Sequence, residues 1–282
     1  MIDAVVDAHV HFWEPAELAY PWLDGVQPLR RAFLPADHAA AVGDAPVVRL
    51  LFVEANPRAD QARREVAFVE RLAAADPRIA GIVAFVDLTA PPAESATALD
   101  ALADAPLVKG IRHNIQGEPA GFALEPSFVR GVREAGRRGL TFDLCATHDQ
   151  LGEVEELVRR CPETRFVLDH CGKPAVRAGV LDPWRADVAR LAAHERVACK
   201  LSGLLTEADA PRWREDDLRP YAEHVADAFG AERLLFGSDW PVCTLAGAWR
   251  DWYTFTERLT ARWGAAERRR FYHDNAVQVY RL

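Results

Sequence analysis

The chain has 282 residues, of which 50% are hydrophobic and 27% are charged, as is typical of a globular protein with a sizeable core. Its formal net charge is −8, which argues against a surface for duplex nucleic acid, because such a surface needs clustered Lys and Arg. This charge balance is compatible with a small-molecule partner, but a net charge does not identify a substrate.

Eight short apolar runs recur along the chain, and several are nearly continuous in Val, Ile, Leu and Phe. Such runs are typical of parallel strands that are buried on both faces. The predicted strands cover, in chain order, residues 5–12, 47–55, 79–88, 108–115, 140–147, 164–170, 197–203 and 233–239.

Amphipathic segments lie between most of these strands. In residues 61–75, Val66, Val69 and Leu72 recur every third residue among charged ones, which is the pattern of a helix with one apolar face. Two short helices are expected in the tail, with Asn275 as the N-cap of the last. Further helices are predicted over residues 126–138, 150–160, 183–195, 218–229 and 246–263.

Eight strand–helix units in a row predict an α/β fold, a single (β/α)8 TIM barrel over residues 1–282. An open doubly wound sheet is the alternative. It would usually carry a Gly-rich turn after its first strand, where this chain has His9-Val10-His11-Phe12. We see no linker that divides the chain.

Two long connections follow the first and seventh strands, over residues 13–45 and 204–221. They leave the end of the barrel at which loops build functional sites. Trp22 lies in the first connection and Trp213 in the second. These aromatic side chains are expected either to line a pocket or to pack their loops down, and the sequence favours neither.

The cysteines predict the compartment. Five are present, an odd number, and none forms a Cys-x-x-Cys pair. No apolar run is long enough for a membrane helix, and the first residues lack the basic segment of a signal peptide. We therefore expect buried reduced thiols in a cytoplasmic protein with no membrane partner, rather than a thiolate metal site.

The first strand ends in two histidines, His9 and His11. Residues two apart on a strand point to the same face, so both imidazoles project side by side. Such a pair can share a metal ion or hold a substrate oxygen. The alternative is a pair of partly buried histidines that hydrogen-bond to the backbone.

Nearly every other predicted strand also ends in polar side chains, which a barrel brings to one mouth. Charged groups are rarely buried without a partner or a task. These residues are Glu54, Asp87, Arg112, His113, Asp143, His148, Asp169, His170, Lys200, Ser202, Ser238, Asp239 and Trp240.

This set suits attack of water on a carbonyl. His9, His11, His170 and Asp239 match the ligands of a catalytic zinc site with a position open for water. Asp239 would take a proton from water and return it to the leaving oxygen. Without a metal, His170, Arg112 or Lys200 could polarise the carbonyl, and the planar fork of Arg112 suits vicinal oxygens.

The chain resembles the amidohydrolase superfamily, and within it the branch that includes sugar-lactone hydrolases. The match lies in Asp7-Ala8-His9-Val10-His11-Phe12-Trp13, Tyr20-Pro21-Trp22, Gly110-Ile111-Arg112-His113, Asp169-His170-Cys171-Gly172-Lys173-Pro174, Cys199-Lys200-Leu201-Ser202-Gly203-Leu204 and Gly237-Ser238-Asp239-Trp240-Pro241.

The resemblance implies a (β/α)8 barrel that opens a sugar-acid lactone, such as an L-fucono- or L-rhamnonolactone. His9, His11, His170 and Asp239 would form the core of the site and hold a metal, with Asp239 and His170 as the catalytic residues. The expected substrate-binding neighbours are Arg112, His113, Lys200, Trp240, Trp22 and Glu54.

Two departures from the superfamily pattern bear on the metal. Arg112-His113 stands where a carboxylated lysine would bridge two ions, and His148 lies just past the fifth strand, so its role is open. The expectation is one divalent ion, zinc in preference, or a metal-independent enzyme.

Two other functions compete with lactone hydrolysis. One is a metal-dependent decarboxylase of a small unsaturated or aromatic acid, with Arg112 holding the carboxylate; the other is a catalytically silent sugar-binding barrel. The Trp-rich connections and the Lys200-Leu201-Ser202-Gly203 run favour the lactonase. The sequence indicates neither the lactone nor the oligomeric state.

Overall fold

The computed structural model describes residues 2–210 and 212–282. Its eight-stranded sheet is parallel, and each strand pairs with the one that precedes it in the chain. The strands are β1 (Val5–Val10), β2 (Val47–Val53), β3 (Ile79–Phe85), β4 (Val108–Arg112), β5 (Thr141–Leu144), β6 (Arg165–Leu168), β7 (Val197–Leu201) and β8 (Leu234–Phe236).

The last strand returns to the first and closes the barrel. Val10 and Trp240 form a parallel bridge. The His11 N–H donates to the Trp240 carbonyl (2.8 Å), and the Asp239 N–H donates to the His9 carbonyl (2.9 Å). The predicted (β/α)8 barrel is therefore confirmed.

Helices connect the strands and cover the sheet. They are α1 (Pro35–Val42), α2 (Ala62–Ala75), α3 (Pro92–Ala103), α4 (Pro126–Arg137), α5 (Leu151–Arg160), α6 (Trp184–Ala192), α7 (Leu204–Glu207), α8 (Glu215–Phe229), α9 (Trp249–Leu259), α10 (Ala265–Arg269) and α11 (Asn275–Tyr280). Within 2–210 and 212–282, no helix is both long and apolar enough to cross a bilayer.

The strands are shorter than predicted because their last polar residues leave the hydrogen-bonded ladder. β6 ends at Leu168, and Asp169 and His170 already belong to a tight turn. β8 ends at Phe236, three residues before Asp239. Asp169, His170 and Asp239 therefore lie on loops held at the carboxyl end of the sheet, where their side chains can turn towards the other strand ends.

The tail closes the opposite, amino-terminal end of the barrel. Ala276 and Tyr280 of α11 are buried against the barrel-interior side chains, among them Val6, Val53 and Leu235. The prediction that Asn275 caps this helix is wrong. A π-helical turn (Arg270–Asp274) runs into α11, and the buried Asn275 amide instead donates to the carbonyls of Ala231 and Leu234 (both 2.7 Å).

All five cysteines are free and buried, as predicted. Cys171 and Cys199 belong to the packed interior beside β7, where their thiols lie 3.6 and 3.7 Å from the Lys200 carbonyl. Cys145 differs from the others because its side chain reaches the cavity described below.

Candidate active site

A cavity of about 450 Å³ opens at the carboxyl ends of the strands. Its polar lining comes from the ends of β1, β2, β4, β5, β6 and β8, which is the arrangement expected of a barrel enzyme. A larger surface cleft of about 650 Å³ lies beside α8, but it contains none of the predicted site residues. The polar side chains of the central cavity are His11, Asn56, His113, Asn114, Gln116, Glu118, Arg112, Cys145, His170, Lys173 and Asp239.

His9 and His11 project to the same face of β1, and their Nε2 atoms are 3.2 Å apart. The His11 Nδ1 lies 2.8 Å from the Val53 carbonyl, which can only accept a hydrogen bond. A neutral His11 therefore carries its proton on Nδ1 and presents the Nε2 lone pair to the cavity.

Asp239 brings its carboxylate to the same point. Its Oδ1 is 3.4 Å from the Nε2 of His11, 3.8 Å from that of His9 and 3.9 Å from that of His170. The His170 Nδ1 lies 2.9 Å from the Ser202 hydroxyl, which leaves its Nε2 directed towards Asp239. Residues from β1, β6 and β8 thus converge within one small volume.

The spacing of His9, His170 and Asp239 fits a metal ion, and the Nε2 of His11 lies 3.2 Å from that of His9 and 3.4 Å from Asp239. Tetrahedral ligands roughly 2 Å from zinc lie about 3.4 Å from one another, close to the separations observed here. Ligand atoms of His9, His170 and Asp239 also lie within 4.8 Å of one another. Two imidazole nitrogens 3.2 Å apart are well placed to share a cation. The donor set is therefore suited to one divalent ion.

The charge states of the site follow from its burial. Burial lowers the pKa of His9 and of His170 well below the ordinary 6.5, so both imidazoles are neutral at pH 7 and keep a lone pair. Burial opposes ionisation of Asp239, but His170 and His11 offset it and lower the pKa of that carboxyl below 3.8. Neutral imidazoles thus face one carboxylate.

Several site residues have left-handed backbone conformations. His170, Cys171, Gly172 and Lys173 follow one another with φ of 53°, 56°, 69° and 44°, and Asp239 has φ of 60°. Each such non-glycine residue costs about 1 kcal/mol. Strain of this kind persists only where surrounding contacts impose it, and it is concentrated at functional sites.

A chain of buried ion pairs lies beneath the cavity. The Arg112 guanidinium donates to Glu54 (2.6 Å) and to Asp169 (3.1 Å). The Lys200 ammonium lies 3.0 Å from Asp169 and 2.5 Å from Asp143. Burial raises the pKa of Asp169, but Lys200, His9 and Arg112 together hold it well below its ordinary value. His9 contacts this series of ion pairs, because its Nδ1 is 3.3 Å from Asp169.

The six residues predicted to bind substrate fall into two groups. Arg112, His113 and Trp22 line the cavity, and the Trp22 indole N–H donates to the Ala55 carbonyl. Glu54, Lys200 and Trp240 do not line it and are 0%, 0% and 2% exposed.

The side chains of this second group contact other protein groups beneath and beside the cavity. Glu54 and Lys200 are used in the ion pairs beneath the cavity. Trp240 packs edge-on against Phe33 and His38.

Other strand-end residues lie away from the cavity. His148 begins a short turn ahead of α5 and does not line it, so the fifth strand contributes Cys145 instead. Asp87 accepts hydrogen bonds from Thr89. Trp213 packs its loop down through a hydrogen bond from its indole N–H to the Ala246 carbonyl.

Four further residues line the cavity without having been predicted as site residues: Lys173, Asn114, Gln116 and Cys145. The available signal for Lys173 was its position three residues after His170 in Asp169-His170-Cys171-Gly172-Lys173-Pro174. Burial lowers the pKa of its ammonium, but Cys145, Glu207 and Asp239 more than offset this effect and raise it above its ordinary value.

A family model described as amidohydrolase matches residues 6–282. An L-fucono-1,5-lactonase of Burkholderia multivorans is 36% identical, over 98% of this chain and 96% of the relative. An L-fucono-1,5-lactonase of Burkholderia ambifaria is 34% identical, over 98% and 95%. A crystal structure of an amidohydrolase from Burkholderia multivorans with bound zinc covers 99% of both chains, with a TM-score of 0.88 and 35% identity.

Proposed function

The chain belongs to the amidohydrolase family, and we propose that it is a lactonase that opens a sugar-acid lactone by attack of water on the ester carbonyl. The observation that carries this proposal is the convergence of His9, His11 and His170 on Asp239, at a polar cavity that His11, His170 and Asp239 line. The two Burkholderia relatives, each similar over nearly their whole length, support the substrate class.

We assign the proton transfers to Asp239. Its carboxylate is ionised and can take a proton from the attacking water as the new C–O bond forms. The same group returns the proton to the ring oxygen when the ester bond breaks. His170, whose Nδ1 lies 2.9 Å from the Ser202 hydroxyl, is proposed to orient the water.

Arg112, His113 and Trp22 are proposed to hold the substrate, because they line the cavity. Three N–H groups of Arg112 are already bonded to Glu54 and Asp169, which fixes the plane of its guanidinium. Glu54, Lys200 and Trp240 are proposed as positioning residues, since their side chains support the lining without forming it.

We propose that His9, His11, His170 and Asp239 hold one divalent ion, zinc in preference. Such an ion supplies acidity to bound water and polarises a carbonyl. The bound zinc in the Burkholderia structure supports this choice of metal. Elemental analysis of the purified protein tests it, and full turnover after exhaustive chelation with no metal detected would favour the metal-independent alternative.

L-fucono-1,5-lactone is the first substrate to test, in a reducing, cytoplasm-like buffer that suits the five free cysteines. Acid release should be measured with a pH indicator across five- and six-membered sugar lactones. No turnover across the panel would overturn the proposal. Carbon dioxide release from a small aromatic or unsaturated acid would instead favour the decarboxylase.

The variant Asp239→Asn tests the assigned proton carrier. We expect it to lower kcat at least about 1,000-fold because the amide cannot accept the proton from water. Asp87→Asn is the matched control, since Asp87 follows another strand and, among the residues that the structure describes, hydrogen-bonds only within its own loop. Equal activity of both variants would contradict the role of Asp239.

A further inference from the structure

We propose that Lys173 is a catalytic residue whose ammonium group donates a hydrogen bond to the lactone carbonyl oxygen as negative charge develops there. This inference rests on the proposed function and deepens it. Lys173 lines the same cavity as Arg112, His170 and Asp239.

The first support is the backbone that carries the side chain. Residues 170–173 form a continuous left-handed turn, in which only Gly172 adopts that conformation without strain. Two of the strained residues, His170 and Lys173, line the cavity. An ordinary turn with a single glycine would reverse the chain with less backbone strain. The observed strain therefore points to a requirement for both side chains at the cavity.

The second support is the state of the ammonium group. The Lys173 side chain is 16% exposed, and its Nζ lies 3.3 Å from the Glu207 carboxylate. Over residues 2–210 and 212–282, this is the one hydrogen bond that the ammonium makes. An ammonium has three N–H groups, so two remain for a ligand.

The third support is the contrast with the other cations. Arg112 already uses three N–H groups on Glu54 and Asp169. Lys200 is fully buried between Asp143 and Asp169 and does not reach the cavity. Lys173 is therefore the cavity cation with the largest share of its donors free.

These features assign a step to Lys173. Water forms a bond to the carbonyl carbon, its proton passes to Asp239, and the carbonyl electron pair moves onto oxygen. The Lys173 ammonium stabilises this oxyanion and keeps its own protons. The oxyanion then collapses, the ring C–O bond breaks, and Asp239 returns the proton to the ring oxygen. The product is the open-chain hydroxy acid. Preorganised donors at an oxyanion contribute mainly to the transition state.

The test compares wild type, Lys173→Met and Lys173→Arg on the lactone that gives the fastest turnover. We expect Lys173→Met to lower kcat about 100- to 1,000-fold, with KM changed less than threefold. Lys173→Arg keeps the charge and should lose less than tenfold. Added ammonium ion, which matches the single Nζ atom that Met lacks, should restore activity to Lys173→Met in a saturable way, which a structural defect would not permit. Lys109→Met is the matched control, since Lys109 lies outside the cavity, and it should retain wild-type activity.

A kcat for folded Lys173→Met within threefold of wild type, with Asp239→Asn inactive, would overturn the role of Lys173 and leave the lactonase proposal standing. Loss of activity in Lys173→Met without rescue by ammonium ion, together with an equal loss in Lys173→Arg, would also overturn it. If Lys173→Met melts below the assay temperature, Lys173→Gln takes its place with the same expected outcomes. A wild type inactive on every lactone would remove both proposals.

Discussion

Asp239 and His170 illustrate how single residues set the chemistry of this site. Each has a left-handed backbone that turns its side chain from the end of a strand towards the centre of the barrel mouth. The three imidazoles then surround one carboxylate oxygen at 3.4–3.9 Å. A shift of one residue in either loop would point the imidazole of His170 or the carboxylate of Asp239 elsewhere, because neighbouring side chains leave the chain in different directions.

The pH dependence of turnover should reflect these buried groups. Burial lowers the pKa of His9 and His170 well below 6.5, and the pKa of Asp239 is below 3.8. All three groups therefore keep their reactive forms as the pH falls from 8 to 6.5. We expect kcat/KM to stay constant over this range and to fall only at a lower pH. The measurement is a pH profile corrected for spontaneous lactone opening, and an acid limb centred at or above 6.5 would contradict it.

Gly203 should matter for activity as well as for stability. It has φ of +69°, and a Cβ there would lie 2.6 Å from the His170 ring. Gly203→Ala should therefore displace His170 and lower kcat/KM more than tenfold, as measured on the best lactone.

Gly179→Ala is the control for this substitution, because Gly179 has φ of +65° and no atom of residues 2–210 and 212–282 lies within 4 Å of the added Cβ. Both variants should lose about 1–2 kcal/mol of unfolding free energy from the strained backbone. Only Gly203→Ala should lose activity, and equal activities would show that the contact with His170 is unimportant.

The sequence predicted the residues that meet at the cavity better than it predicted their depth. Strand alternation places a side chain inside or outside the barrel. It does not say how far below the mouth that side chain lies. Lys200 is inside the barrel, as expected, but one layer beneath the cavity among carboxylates. Lys173 escaped prediction because its position depends on a left-handed turn that no sequence period reveals.

At the scale of single elements, α2 supports the site through a buried carboxyl group. Glu65 lies on its inner face, where it accepts a hydrogen bond from the Ala55 N–H (3.1 Å). Burial, reinforced by Glu54, raises the pKa of Glu65 well above 4.5. The folded protein thus holds a proton on Glu65 at pH values where the unfolded chain has released it.

Glu65→Gln should make the protein more stable at high pH. A raised pKa gives a stabilising contribution that is complete below about 4.5 and is lost as the pH rises towards the folded-state pKa. Glutamine stays neutral and keeps the acceptor oxygen for the Ala55 N–H, so the stability of the variant does not fall in this way as the pH rises. We expect its Tm to exceed that of wild type by a margin that grows between pH 5 and pH 8. A difference in Tm that does not change with pH would contradict the raised pKa of Glu65.

Strands and helices with a strong hydropathy pattern were predicted, and a helix with a weak pattern was not. The near-continuous apolar strands and the helix at α2 follow directly from their residues. The helix α3 was not predicted. Its buried face consists of Ser95, Leu99 and Leu102 among alanines, so its buried and exposed faces differ little in hydropathy. Asn275 was misassigned because the preceding turn continues into the helix, so the residue needs no cap.

For the whole molecule, the ion pairs in the barrel join the cavity to the tail. The Tyr280 hydroxyl of α11 donates to Asp143 (2.8 Å), which pairs with Lys200 and through it with Asp169. Asp169 in turn contacts His9 and Arg112. The tail thus helps to satisfy a charge that would be costly to bury alone.

Tyr280→Phe should therefore destabilise the fold more than a comparable change nearby. A hydrogen bond to a charged acceptor is worth about 1.5–3 kcal/mol, against about 1 kcal/mol for a neutral one. Tyr272→Phe is the matched control, since that buried hydroxyl donates to the neutral Thr256 (3.0 Å). Thermal unfolding of both variants is the measurement, and a smaller loss of Tm for Tyr280→Phe would contradict the importance of the ion-pair chain.

The contact that closes the barrel also sets when activity can arise during synthesis. The backbones of His9 and Asp239 are hydrogen-bonded to each other, yet 229 residues lie between them in the chain. Asp239 therefore leaves the ribosome long after His9. A nascent polypeptide that stops short of Asp239 has its imidazoles but no acid to face them. Given the role proposed for Asp239, hydrolysis should begin only when the final strand docks, and two halves of a split chain, each inert, should regain turnover on mixing.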